Sequence, residues 1–264
     1  DRLVTGYRNS KNYADNWISA GYSLWFLRES RFLNQPRACL NTSCAISGTG
    51  FLVHHDILKK NGGWTHFLLT EDIEFTVDSI LKGDKISYCP TAVLYDEQPT
   101  RFSQSWRQRM RWACGYLQVF QSYGTALVAT FFKKRSFACM DMIMTIMPAI
   151  VLTMAALIIN GIALIAALRL DAEIVLPLVG SMLGAALNAY GFLFAIGLIT
   201  GLAEWKNIHA TAWQKIKSFL TFPLFMLTYI PISFCALFMP VQWKPITHTK
   251  SVRITEIENE RRAA

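Results

Sequence analysis

Hydrophobic and polar positions divide this chain into two unlike parts. Over residues 1–135 charged and apolar side chains mix at the short intervals of a globular protein, whereas residues 140–240 are almost free of charge. Three apolar runs stand out in the second part. Residues 140–168 hold one charge, Asp141, near their start, and residues 174–202 and 219–240 hold none. Each exceeds the roughly 20 residues needed to cross a hydrocarbon core of about 30 Å, so the pattern predicts three membrane-embedded spans. Pro223 and Pro231 interrupt the third, which predicts a kinked or re-entrant segment.

The first part reads as alternating helices and strands. Trp17, Tyr22, Trp25 and Phe26 recur at helical spacing and predict one or two helices over residues 7–34. Residues 44–53 are small and β-branched, ending in Phe51-Leu52-Val53, and predict a buried strand after a glycine turn at Ser47-Gly48-Thr49-Gly50. A short helix comes next at 55–60, stopped by Gly62-Gly63. Residues 70–82 predict a helix capped by Thr70, with Glu71 and Asp72 in its first turn, an apolar face of Ile73, Val77, Ile80 and Leu81, and Gly83 at its end. Residues 86–95 read as a strand interrupted by Pro90, residues 96–100 as a loop, and Ser103 or Ser105 as the cap of a helix to about Phe120. The fold class is α/β.

Charge orients these elements. Lys133-Lys134-Arg135 precede the first span and argue for a cytoplasmic N-terminal domain. The connection 169–173 is short and nearly neutral, as an outside turn should be. The connection 204–218 carries Lys206, Lys215 and Lys217, with Trp205 and Trp213 suited to the interface. Three spans would place the tail outside, yet the tail holds Lys244, Lys250, Arg253, Arg261 and Arg262. A re-entrant third segment removes that conflict.

Composition narrows the partners. Of 264 residues 52% are hydrophobic and 17% charged, with a mean hydropathy of +0.26 and a net charge of +8. That charge suits anionic lipid head groups or phosphorylated substrates. No basic stripe with interleaved aromatics marks a nucleic-acid surface. The six cysteines form no C-x-x-C pair, which argues against a zinc site and for buried thiols in a reducing compartment. His54-His55, read on a strand, would point to opposite faces and make a poor chelate. The chain opens Asp1-Arg2-Leu3-Val4, which reads as a cut through a longer protein.

Three constellations can carry chemistry. Thr70-Glu71-Asp72 offers a carboxylate as general base, though acidic first turns are also ordinary helix starts. In Gln108-Arg109-Met110-Arg111-Trp112, helical spacing puts Gln108, Arg111, Trp112 and Gly115 on one face. Arginine grips phosphate oxygens and an indole offers a flat apolar face to a sugar ring. The same segment suits a basic helix on the membrane surface, anchored by Trp106 and Trp112. Ser47–Gly50 allows close backbone approach to a ligand, or is simply a turn.

The ordered set, joined by Gly62-Gly63-Trp64, Leu69–Phe75 and Tyr95-Asp96-Glu97-Gln98-Pro99, resembles the second half of a processive family 2 glycosyltransferase. That group includes cellulose, chitin, hyaluronan and poly-N-acetylglucosamine synthases. The motifs cover residues 1 to about 125, with a weaker tail motif at residues 243–248. The resemblance implies the C-terminal part of a GT-A-type domain followed by an α-helical transmembrane region. Residues 1–125 would be a partial cytoplasmic, acceptor-side domain including an interfacial helix 103–120. Residues 126–240 would be the transmembrane region and 241–264 a basic polar tail. It implies a multi-pass protein of the cell membrane and an inverting hexosyl transfer from a UDP-sugar, N-acetylglucosamine or glucose, to a growing glycan. Asp72 would be the general base, kept ionised by the helix dipole. Gln108 and Arg111 would contact the donor diphosphate, Trp112 would be the acceptor platform, and Glu71, Gly48 and Thr49 would line the acceptor site. Mg²⁺ or Mn²⁺ is implied for the intact enzyme. Its Asp-x-Asp has no match before residue 47, so the expectation is that the donor half and the metal ligands lie outside this chain, that no residue here binds metal, and that the chain alone is inactive. A membrane-anchored polysaccharide-binding or export component without catalysis is the alternative. A transporter fragment fits less well, because the spans lack ionisable residues within them.

Overall fold

In the computed structural model the first element is a strand where a helix was expected. The structure describes residues 1–147, 149–170, 172–239, 241 and 255–256. The tail motif at 243–248 and the five basic tail residues lie outside the described residues. Strand β1 (Leu3–Ser10) buries Leu3, Thr5, Tyr7 and Asn9 on alternate positions. Two of the four are polar and a third carries a hydroxyl, which is why hydropathy does not announce a strand. β1 is the centre of a three-stranded sheet of order β2-β1-β3. β2 (Phe51–Val53) pairs with it antiparallel, and β3 (Ile86–Asp96) parallel. β2 follows the glycine turn as expected but is not buried, with Leu52 74% exposed. Pro90 does not end β3. The register slips there, so that Cys89 faces Gly6 and Val93 faces Tyr7, and the extra residues bulge out. Gly6 is required at the slip, because a Cβ would sit 2.5 Å from the Ala92 carbonyl oxygen.

Helix α1 (Trp17–Arg28) starts on a capping box between Asn16 and Ser19. It runs into a π-helical turn, Glu29–Asn34, and then α2 (Gln35–Cys39). α3 (His55–Lys60) and α4 (Glu71–Lys82) lie where the pattern puts them, and Gly83 ends α4 in the left-handed conformation. Thr70 occupies the N-cap position of α4 but its side chain caps nothing. α5 begins at Phe102 without a side-chain cap and continues to Lys134, well past Phe120.

The apolar run 140–168 is not one helix. α6 (Phe137–Ile146) ends where Met147 turns extended, and α7 (Ala149–Leu170) comes after it. Residue 148 is proline in the sequence, which disfavours helical geometry in the residue before it. α6 packs into the α/β unit: its Cys139, Met142 and Ile146 share a core with Ile73, Val77 and Ile80 of α4 and Val119 and Leu127 of α5. Its one charge, Asp141, receives two bonds from the buried Arg37, at 2.6 and 3.1 Å. α8 (Val175–Ala203) matches the second run. The third begins earlier than residue 219, as α9 (Ala212–Leu227), and restarts after Thr228 as α10 (Tyr229–Phe238). Two stretches are long and apolar enough to cross a membrane, Val175–Ala203 and Ala212–Phe238. The first is 6% buried over its most apolar stretch, the second 28%. The difference arises because α9 leans on the α/β unit. Phe219 and Phe222 join Tyr7, Tyr13, Leu24 and Leu27 in one cluster, and Phe225 joins Tyr22 and Phe26 in another.

Candidate active site

Asp72 sits in the first turn of α4, and the glycine turn comes to it. Thr76 of α4 accepts from the Ile46 amide at 3.0 Å, which fixes the chain just ahead of Ser47. The Gly48 amide then donates to Asp72 Oδ2 at 2.5 Å, while the Ile73 amide donates to Oδ1 at 2.9 Å. Gly48 has φ +75°, which glycine adopts freely. Thr49 lies next to it, and Gly48, Thr49 and Glu71 are exposed at the mouth of the site. Burial works against the helix dipole that was expected to favour the ionised form of Asp72. Burial pushes its carboxyl above its ordinary pKa, Glu71 adds to the rise, and the two backbone bonds offset only part of it.

The 108–112 segment does not present one face. Arg111 Nη1 donates to the Leu69 carbonyl at 2.6 Å, and Gln118, two turns on, accepts from the Leu69 amide at 3.2 Å. Between them Gly115 meets Thr70 so closely that a Cβ would lie 2.5 Å from the threonine side chain. Residues 111, 115 and 118 of α5 therefore grip the segment leading into Asp72. Trp112 turns instead toward α1, edge-on to Tyr22 at 5.7 Å and Phe26 at 6.0 Å, and stays half-buried. Gln108 Oε1 is buried with no partner, an acceptor still awaiting a donor. Arg109, to which sequence reasoning gave no role, is fully buried. Its Nη1 donates to the Phe225 carbonyl at 2.9 Å and to Thr228 Oγ1 at 2.7 Å, and its guanidinium lies 4.3 Å from the Phe225 ring. It thus holds the α9–α10 break, as a cation at a helix C-terminus does.

Behind Asp72 lie groups that the sequence did not mark. Glu29, the first residue of the π-helical turn, accepts from Ser47 Oγ at 3.1 Å. Burial raises its carboxyl, against the pull of Arg8 and Ser47. Tyr116 on α5 is raised by burial and by Glu29 and Asp72. Arg8 of β1 donates to the Ser47 carbonyl at 2.9 Å and pairs with Asp96. Asp96 belongs to the Tyr95–Pro99 motif and was the available signal. Its partner on β1 was hidden inside a helix reading.

With this geometry in place, the comparison with known proteins is decisive. The family described as "Glycosyl transferase family group 2" matches residues 2–242. The chain belongs to this family. Its mixed α/β content and two apolar helices accord with a GT-A-like family 2 glycosyltransferase domain. It is 36% identical over 90 residues to "Probable glycosyltransferase YdaM" of Bacillus subtilis (strain 168), which covers 34% of this chain and 20% of that protein. It is 29% identical over 77 residues to "Probable glucomannan 4-beta-mannosyltransferase 7" of Oryza sativa subsp. japonica, covering 29% and 13%. The chain thus spans a fifth or less of these two relatives.

Family 2 glycosyltransferases of this fold typically use a divalent metal. The residues around Asp72 do not fit one, since among the described residues no three potential ligands gather there and Glu29 is turned to Ser47. Among the described residues three potential ligands do meet at His54, His55 and Asp56. His54 caps α3 rather than lying on a strand, so the two rings approach to 4.5 Å instead of pointing apart. That exposed group lies outside the site, and imidazoles suit a magnesium diphosphate poorly. A groove of about 560 Å³ lined by Leu40, Ser43, Lys85 and Phe137 includes none of the candidate residues.

Proposed function

We propose that this chain is the acceptor-side part of a membrane-bound inverting glycosyltransferase that moves a hexose from a UDP-sugar to a growing polysaccharide. The observation that carries the reading is the junction of the glycine turn, Asp72 and the Arg111 helix around residues 69–72. Asp72 is the general base. It takes the proton of an acceptor hydroxyl, whose oxygen attacks the anomeric carbon from the side opposite the diphosphate. The bond to the diphosphate oxygen breaks and UDP departs with the bonding pair. A raised pKa serves this role, because a stronger base accepts the acceptor's proton more readily. Gln108 and Arg111 contact the diphosphate. Trp112, held edge-on by Tyr22 and Phe26, offers its ring to the acceptor sugar, and Glu71, Gly48 and Thr49 line the acceptor entrance. N-acetylglucosamine and glucose are the proposed sugars. The rice relative, by its name, transfers mannose, so a mannose nucleotide belongs in the same trial.

The test uses the full-length protein in membranes, with UDP release from UDP-N-acetylglucosamine and UDP-glucose as the readout. Asp72→Asn is expected to lower turnover by about 10²–10⁴-fold, the range for loss of a general base, with membrane insertion unchanged. Wild-type UDP release by that variant would refute the base assignment.

A further inference from the structure

One side chain, Arg8, touches or adjoins each motif of the site, although no motif contains it. Its Nη1 donates to the Ser47 carbonyl at 2.9 Å and to Ser47 Oγ at 3.3 Å. Its Nη2 donates to Asp96 Oδ2, in the Tyr95–Pro99 motif. Its guanidinium carbon lies 3.6 Å from the centre of the Phe26 ring, and that ring in turn meets the edge of Trp112. A Cβ on Gly48 would stand 3.5 Å from Nη1 and 4.0 Å from Asp72 Oδ2, so Gly48 lies between the cation and the base. Glu29 holds Ser47 from the other side, through Ser47 Oγ. The side chain is mostly buried, and its Nε has no partner. Only the two terminal nitrogens and the aromatic face fix its plane.

We propose that Arg8 is a positioning residue for sugar transfer, clamping the Ser47–Gly50 turn so that the Gly48 amide stays on the carboxylate of Asp72. This rests on the reading of Asp72 as the base. The clamp needs a planar fork, since one end must reach Ser47 and the other Asp96 while the plane lies on a ring. A lysine ammonium supplies the charge but not that geometry. The clamp has an electrostatic consequence. Asp72 faces Glu71 on its own helix, Glu29 on the π-helical turn, Tyr116 on α5 and Arg8 on β1. The two carboxylates and, if ionised, the tyrosine favour the protonated base. The Ile73 and Gly48 amides favour the ionised one. Loosening the turn removes the amide and raises the pKa of Asp72 further.

The experiment compares Arg8→Lys, Arg8→Met, Asp96→Asn and Asp72→Asn in the full-length protein in membranes, with UDP release measured from pH 4 to 9 and the thermal midpoint taken in detergent. Arg8→Lys is expected to lower kcat about 100-fold, as a misplacement of roughly 1 Å does. The donor KM should stay within about threefold, because no binding contact is lost. The acid limb of its kcat profile should move to higher pH. Wild-type kcat and acid limb in Arg8→Lys overturn the proposal, since charge alone would then suffice. A raised KM with unchanged kcat also overturns it, making Arg8 a binding group. If the Arg8 variants show no folded transition, Asp96→Asn carries the test, because it frees one arm of the fork. A reduced kcat with the same pH shift supports the clamp, and a normal profile refutes it. Wild-type turnover by Asp72→Asn fells the base reading itself. An inactive Asp72→Asn beside a normal Arg8→Lys fells only the clamp.

Discussion

A carboxylate in the first turn of a helix is stabilised as an anion when water surrounds it. At Asp72 the loss of that water is the larger effect, and the carboxyl rises above its usual pKa of about 4. The sign for catalysis is then fixed. The base is competent when ionised, so kcat should be constant at high pH and fall as pH drops through the raised pKa. A pH profile of kcat at saturating donor should therefore show its acid limb above pH 4, with a slope of one. A limb at or below the ordinary carboxylate value would mean that another group limits the reaction. The sequence made Asp72, Gly48 and Arg111 legible because each sits in a short local motif. It could not show Arg8, whose partners Ser47 and Asp96 lie 39 and 88 residues away. Nor could it show Trp112 turning to α1, because helical spacing says which positions share a face and not which neighbour is nearest.

At the scale of the element, α6 is the clearest departure from the hydropathy pattern. An apolar run with one aspartate near its start reads as a membrane span with its charge at the water surface. The structure spends that aspartate on Arg37, whose side chain is 7% exposed against 22% for Asp141, and Arg37 Nη2 also donates to Thr145 at 3.0 Å. The pair docks the first part of the run onto α4 and α5, and a separate helix, α7, starts beyond Met147. The two pictures make opposite predictions for Asp141→Asn. If α6 is docked, the change strands a buried guanidinium and should cost about 3 kcal/mol, since breaking a buried pair is strongly unfavourable. That cost should appear as a lowered thermal midpoint in detergent. If the segment lay in lipid, removing the charge would ease its insertion, and an unchanged or higher midpoint would favour that picture. Helix α4 was readable from its apolar face and closing glycine, and α8 from an uninterrupted apolar run, whereas the expected side-chain caps of α4 and α5 are not used. β1 was not, because a central strand burying Thr5, Tyr7 and Asn9 has no hydrophobic signature.

For the whole molecule, the side of the membrane on which each connection lies depends on how the long helices are tied. α8 has 29 residues, about 43 Å at 1.5 Å per residue, enough to cross a core of about 30 Å with a turn to spare at each end. Its C-terminal end is fastened to the sheet. Tyr7 donates to Glu204 at 2.6 Å, Asn207 donates to the same carboxylate at 2.6 Å, and Asn9 donates to the Asn207 carbonyl at 2.8 Å. The connection 204–211 therefore sits on the side of the α/β unit, and the start of α8 lies at the far end of the helix. We propose that the near side is cytoplasmic, on a positive-inside reading of Lys133-Lys134-Arg135. α9 and α10 complicate a simple three-span count, because Arg109 and Cys114 of α5 bond to Phe225, Thr228 and Ala236 along them. The third segment thus tracks the helix that carries the site before it enters lipid. In intact cells, with the six native cysteines replaced, Glu173→Cys should react with a membrane-impermeant maleimide, while Ala210→Cys should react only after the membrane is opened. Labelling of Ala210→Cys from outside would invert the proposed orientation. Labelling of both from outside would place α8 on the surface rather than across the bilayer, and would overturn the proposed crossing.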